Sequence, residues 1–381
     1  MSLGRSLSNE LRGDTAIWLI TIVLALVSLL AIYSSTGSMA FRVKGGNTEF
    51  FLFKHLLIVA ISFIVMYVMY KIPYEKYKKW APFCLALTFP MLMYTLWQGA
   101  DINDARRWIA VPFIDLTFQT SDFAKISLVT YVASMIGSKQ EYIDDFAGAF
   151  TPIIVPILIT CGLIAPADLS TAIILFSTCF LMMFIGRVHW KFLGLLLLFG
   201  VVIFSLLIIA GQFFPEFVRV DTWTSRLTEY FTNSDGGYQV QQSKIAIASG
   251  EWIGVGPGNS TQRNFLPSPF ADFIYSIITE EYGLVGAFIM IAMFVWLMIR
   301  TTVLVTKSAK AFGAMLAVGF TLCLTIQAFV NIAVAVHVVP VTGVTMPLVS
   351  MGGTSFLFAS MMIGIILSVS RHIESISDLK E

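Results

Sequence analysis

The sequence predicts an all-α protein that crosses a membrane ten times, and three observations lead to that expectation. Of the 381 residues, 57% are hydrophobic and only 12% charged, where a soluble domain carries about 25% charge. The mean hydropathy is +0.82. The apolar residues also form continuous runs of about 20 rather than alternating, which favours helices over a closed barrel.

Taken in order, the first run, 15–34, follows a short polar head with Arg5 and Arg12. No small-residue cleavage site follows it, so it is expected to remain as an anchor. Runs 51–70 and 81–98 flank the basic cluster Lys71, Lys76, Lys78 and Lys79. Run 118–137 opens with Asp122 and Lys125. Runs 150–165 and 169–186 are short and joined by a tight turn at Pro166, and run 190–210 follows. A long polar connection, 211–271, then separates the seventh and eighth helices, too long for a simple linker. Within it, Tyr238 to Ala248 reads as a short amphipathic helix, and Gly254, Gly256 and Gly258 around Pro257 read as a tight turn. Runs 272–299, 312–336 and 348–370 complete the set.

With the N-terminus inside, the inner segments hold more of the Lys and Arg residues than the outer ones. That bias predicts cytoplasmic termini and outward-facing connections at 99–117 and 211–271. No internal repeat or soluble domain interrupts the chain, which reads as one integral membrane domain over 1–381. Cys84, Cys161, Cys179 and Cys323 lie in apolar runs without metal-ligand spacing. His55, His189, His337 and His372 have no metal partner at useful spacing. The net charge of +1 gives no sign of a nucleic-acid partner.

Ionisable residues at membrane depth are the candidate chemistry. Asp122 and Lys125, three apart, share a helix face and can pair, either as part of a site or as a bridge that orients the helix. Asp168 reads as a site residue or as the N-cap of the sixth helix. Gln327 and Asn331 read as contacts to a neighbouring helix. Asp272 stands about 12 Å beyond Glu280, which is headgroup height if the hydrocarbon ends near Glu280. A carboxylate there is a catalytic candidate or a helix cap. Asp272, Ser276 and Glu280 are expected on one helix side. Pro340, Pro347, Gly352 and Gly353 predict a broken entry to the tenth helix over 343–355, with Thr345 and Ser350 on the wall of the Asp272 cavity or merely in a packing turn.

Several motifs together resemble the SEDS family (shape, elongation, division and sporulation) of membrane-embedded peptidoglycan polymerases. They are NDARRWI at 103–109, FQTSDFAK at 118–125, PADLSTA at 166–172, GGYQVQQSKIAIASG at 236–250, ADFIYSIITEEYGLVG at 271–286 and PVTGVTMPLVSMGGTS at 340–355. Thr345 resembles the division branch, where the elongation branch has proline. The resemblance implies polymerisation of lipid II with release of undecaprenyl diphosphate, at the septum of a bacterial inner membrane. It implies Asp272 as the residue on which activity depends, with Lys125 and Asp168 as family positions. Asp122 replaces the family's glutamate, Ala167 and Ser170 depart from its Pro-Asp-Leu-Gly-Thr motif, and Met351 stands where a tyrosine is common. Arg106, Arg107, Lys125, Lys244 and Arg263 are candidates to hold the diphosphate. A divalent cation, Mg2+ or Mn2+, is compatible with that chemistry but demanded by no motif. The implied partners are a class B penicillin-binding protein transpeptidase, other divisome membrane proteins and membrane lipids. A lipid II flippase and a non-catalytic divisome scaffold are the competing readings.

Overall fold

The computed structural model describes residues 12–37, 48–102, 105–111, 116–142, 145–214, 217–233, 235–308 and 310–378. Seven long helices come first: α1 (Thr15–Ser35), α2 (Thr48–Lys71), α3 (Tyr74–Gln98), α4 (Thr120–Ser138), α5 (Thr151–Ile164), α6 (Leu169–Ile185) and α7 (Trp190–Phe213). The connection after α7 holds two shorter helices, α8 (Val220–Thr232) and α9 (Tyr238–Ser249). Then come α10 (Ile274–Thr306), α11 (Ala311–Ala335) and α12 (Thr354–Asp378).

Each apolar run has become a helix, because a backbone in lipid must satisfy its own polar groups. Eight helices among the described residues are long and apolar enough to cross a membrane, α5 only together with the wider turn Phe146–Phe150 that leads into it, 19 residues in all. The two remaining long helices fall short for different reasons. α6 has only 17 residues, and α4 has 19 but carries Asp122, Lys125 and several hydroxyl side chains. Polar α4 is also the most enclosed: Leu128, Val129, Val132 and Ile136 are wholly buried against α11 and α3. At the other extreme, α7 buries 11% of its apolar window, against 72% for α12.

Two contacts fix the ends of the bundle. Asp14 caps α1, accepting from the amide of Ala16 at 2.9 Å, and pairs with Arg300 at 2.6 Å. At the far end of α1, Ser34 donates to Glu281 and its carbonyl accepts from Arg263 at 2.9 Å. The 21 residues between span about 31 Å, the thickness of a hydrocarbon core.

α10 is broken near its N-terminal end. Gly283 has φ 67° and ψ −167°, so the ladder of carbonyl-to-amide bonds is interrupted there. Residues of the preceding connection fill the interruption. Val255 and Gly256 donate to the carbonyls of Glu280 and Glu281 at 2.9 and 3.0 Å, while Leu284 and Val285 donate to Glu251 and Trp252 at 2.9 and 3.3 Å. A Cβ on Gly283 would sit 2.4 Å from Trp252 backbone, so only glycine fits.

Two features depart from the all-helical expectation. The segment expected as a plain outer loop forms an antiparallel sheet of β1 (Ala100–Ile102), β2 (Ala105–Val111) and β3 (Leu116–Gln119), with Trp108 opposite Gln119. Its strands are too short for alternation to stand out. The tenth helix, expected from 348, starts at Thr354, because residues 340–346 have no regular structure and 347–349 turn.

Candidate active site

The site begins with three backbone anchors. The carbonyls of Phe270, Ala271 and Asp272, in the turn before α10, each accept a hydrogen bond: from the amide of Met351 at 2.9 Å, the hydroxyl of Ser350 at 2.6 Å and the side-chain amide of Asn331 at 2.8 Å. With its backbone held this way, Asp272 turns its carboxylate into a cavity of about 510 Å³. Asn331 also donates to the carbonyl of Val344 at 2.7 Å, and Gln327, one turn earlier on α11, to that of Thr345 at 2.9 Å. Two amide side chains on one helix face thus hold the irregular segment around Val344 and Thr345 that forms part of the cavity wall.

Charged residues from distant elements meet there. Lys125 binds Asp122 at 2.7 Å and donates to Gln327 at 3.0 Å, while Asp122 Oδ2 is buried without a hydrogen-bond partner. Arg107, on β2, donates to the Ala167 carbonyl at 2.8 Å and pairs with Asp168 at 3.1 Å. Asp168 caps α6, accepting from the amide and hydroxyl of Thr171 at 3.1 and 2.9 Å, and it lines the cavity as well. Arg219 and Arg226 enter from the connection around α8. Among the described residues Asp272 makes no ion pair at contact distance. Burial pushes its carboxyl above the ordinary range, against the opposing pull of Arg226 and then Arg107, and Asp168 adds to the rise.

Of the residues nominated from sequence, Arg107, Asp122, Lys125, Asp168, Asp272 and Thr345 line this cavity. The side chain of Arg106 lies outside the described residues. Lys244 does not reach the cavity; its ammonium binds the Asp235 carbonyl at 3.1 Å. Arg263 is spent at the outer end of α1, on Ser34. Ser350 is 2% exposed, its hydroxyl used on the Ala271 carbonyl and the Met346 amide. It supports the wall rather than facing the space. Ser276 and Glu280 also turn away: Ser276 meets Ser243 of α9 at 2.6 Å, and Glu280 accepts from Ser260, Thr261 and Gln262. Sequence reasoning missed Arg226, Trp108 and Gln119 as lining residues. The clearest available signal was Arg226, an arginine within an amphipathic stretch of the long outer connection.

No group of three or more His, Cys, Asp or Glu among the described residues could hold a metal ion. Asp168 is already committed to Arg107 and Thr171 and Asp122 to Lys125, which leaves the Asp272 carboxylate as the one without an ion-pair partner at contact distance among the described residues. The residues present do not form a resident metal cage.

The sequence and the fold both have relatives. The family model described as cell cycle protein, FtsW/RodA/SpoVE, matches residues 14–375. Stage V sporulation protein E of Bacillus subtilis is 30% identical over 94% of this chain and 97% of its own. A probable peptidoglycan glycosyltransferase FtsW of Halomonas elongata is 31% identical over 92% and 89%. In fold, a chain from a peptidoglycan synthase complex that coordinates polymerisation and crosslinking is similar with a TM-score of 0.73, at 20% identity over 95% of this chain and 99% of that one. The rod shape determining protein RodA of Thermus thermophilus is similar at 0.68 and 20%, over 95% and 98%. With the model matched along nearly its whole length and the helical architecture shared, this chain belongs to the FtsW/RodA/SpoVE family, the SEDS proteins.

Proposed function

We propose that this chain is a peptidoglycan glycosyltransferase that polymerises lipid II on the outer side of a bacterial inner membrane. The observation that supports this most directly is the cavity that gathers Asp272, Arg107, Arg226 and the Asp122–Lys125 pair. In this reading the ten long helices all span, both termini are cytoplasmic, residues 211–271 are extracytoplasmic, and the chain works as one domain. The acceptor 4-hydroxyl attacks the anomeric carbon of the donor sugar while Asp272 takes its proton, and undecaprenyl diphosphate departs. An α-linked donor and a single displacement give a β-1,4 product. Diphosphate leaves without protonation, so one base with cations nearby is enough, unlike the acid–base pair of glycoside hydrolysis. Arg107 suits the diphosphate by its forked donors, and Lys125 as a point charge. No step is assigned to a metal.

The family, described as cell cycle proteins, and the relatives named FtsW support a role at the septum beside a class B penicillin-binding protein and other divisome membrane proteins. The test is polymerisation of fluorescent lipid II by the purified chain, alone and with that partner. A ladder of glycan products is expected. Transfer of labelled lipid II between vesicle leaflets without polymer would establish a flippase instead. Neither activity, with the partner bound, would leave a scaffold.

A further inference from the structure

Arg226 belongs to a helix that otherwise has little reason to touch the site. No residue of α8 is fully buried, and a few side-chain contacts hold it in place. Trp223 stacks on Phe204 with ring centres 6.0 Å apart, the Tyr230 hydroxyl donates to the Val338 carbonyl at 2.8 Å, and Arg226 donates to the Thr342 carbonyl at 3.2 Å. Arg226 is half-buried while its neighbours Ser225 and Leu227 are exposed. Unlike Lys125 and Arg107, it has no carboxylate at ion-pair distance among the described residues. What separates it from Asp272 is a space over Gly343. A Cβ at Gly343 would stand 3.8 Å from Asp272 Oδ2 and 4.0 Å from Arg226 Nη2, and the glycine's φ of 71° disfavours any side chain. One small group in that space touches both residues.

Building on the glycosyl-transfer reading, we propose that Arg226 is a positioning residue that faces Asp272 across the gap over Gly343 and keeps that carboxylate in the anionic form a base requires. The charged groups facing Asp272 come from every wall of the cavity: Arg107 on β2, Asp122 and Lys125 on α4, Asp168 before α6, and Arg219 and Arg226 around α8. Arg107 and Lys125 are each neutralised by a carboxylate at contact distance. Arg226 therefore contributes the larger uncompensated field, in line with its place as the stronger of the two cations that oppose the effect of burial on Asp272. Burial pulls the Arg226 guanidinium down as well, but an arginine stays protonated in a protein.

The experiment is the pH dependence of kcat/KM for polymerisation of fluorescent lipid II, using the full chain with its transpeptidase partner. In Arg226→Gln the acidic limb is expected to move to higher pH by about one unit, the scale for a nearby charge. The rate lost near neutrality, up to about tenfold for that shift, should return at alkaline pH. Arg226→Lys retains the charge and should keep the limb at its wild-type position. A uniform loss in Arg226→Gln with the limb unmoved, or an unchanged profile, would overturn the proposal. If Arg226→Gln does not fold, Arg226→Met, which keeps the aliphatic stem, repeats the comparison. A wild-type chain that makes no polymer would defeat the glycosyl-transfer reading itself, a result distinct from a wild type that polymerises and an Arg226 variant that does not shift.

Discussion

Glu280, near the start of α10, and Asp272, in the turn that precedes it, stand eight residues apart, yet their hydrogen bonds go to opposite places. The Glu280 carboxylate is 1% exposed and accepts from the Ser260 hydroxyl, the Thr261 amide and hydroxyl at 2.9 and 3.0 Å, and the Gln262 amide at 3.3 Å. It stitches the connection to α10. Around Asp272 the donors bind the backbone instead, and its carboxylate has only the field of distant arginines. A carboxylate whose side chain is saturated holds the fold together. One whose main chain is pinned and whose side chain faces open space is ready for chemistry.

Exchanging these two roles by mutation should fail in different ways. The largest effect is expected for Asp272→Ala, which removes a positioned base worth about 10² to 10⁴ in rate without disturbing insertion or partner binding. A variant within tenfold of wild type in a lipid II assay would break the comparison. Wild-type polymerisation should also fade on acidification at a higher pH than an ordinary aspartate would give, because burial raises the Asp272 pKa and the base is lost by protonation. The same sign applies to stability. The folded state binds that proton more tightly than the unfolded one, so the carboxylate weakens the fold as pH rises. Asp272→Asn should therefore melt at or above the wild-type Tm at neutral pH while being inactive.

The next largest effect concerns Lys125→Ala, which strands Asp122 in a buried setting at a cost of about 3–5 kcal/mol. The double change Asp122→Asn with Lys125→Met should be the more stable of the two, and thermal melts decide. Glu280→Ala should cost about 1.5–3 kcal/mol through its charge-assisted bonds, lowering Tm and losing activity only as folded protein is lost. A specific kcat defect at full stability would place Glu280 in the chemistry. The smallest effect is expected for Ser350→Ala, about 1 kcal/mol for each of its two hydrogen bonds and a several-fold fall in kcat as the Ala271 carbonyl loosens. A cysteine at Ser350 should resist an impermeant thiol reagent from either side, because the position is buried.

Much of this arrangement was legible in the chain. The ten long helices follow from continuous apolar runs. The Asp122–Lys125 pair follows from i, i+3 spacing, and the broken entry to α12 from its prolines and glycines. What the sequence hid depends on contacts between remote segments. Nothing local to Lys244 or Arg263 says that each is used up by a nearby carbonyl or hydroxyl, and nothing local to Arg226 says that α8 folds back over the cavity. Ser350 was placed in the right wall but facing the wrong way, because its partner Ala271 lies 79 residues earlier. The three-stranded sheet escaped notice because strands of three, seven and four residues leave too little alternation to read.

The break at Gly283 also has a consequence for biogenesis. Ribosomes deliver residues 251–256 before α10, and α10 cannot complete its backbone pairing alone: the carbonyls of Glu280 and Glu281 and the amides of Leu284 and Val285 wait for partners from that earlier stretch. In lipid, each unpaired group costs several kcal/mol. α10 is therefore expected to complete its backbone only once residues 251–256 have docked on it, so that the two assemble as one unit. An insertion between Ser249 and Val255 should act as an assembly defect, visible as lost folded protein in the membrane even though the altered residues never touch substrate.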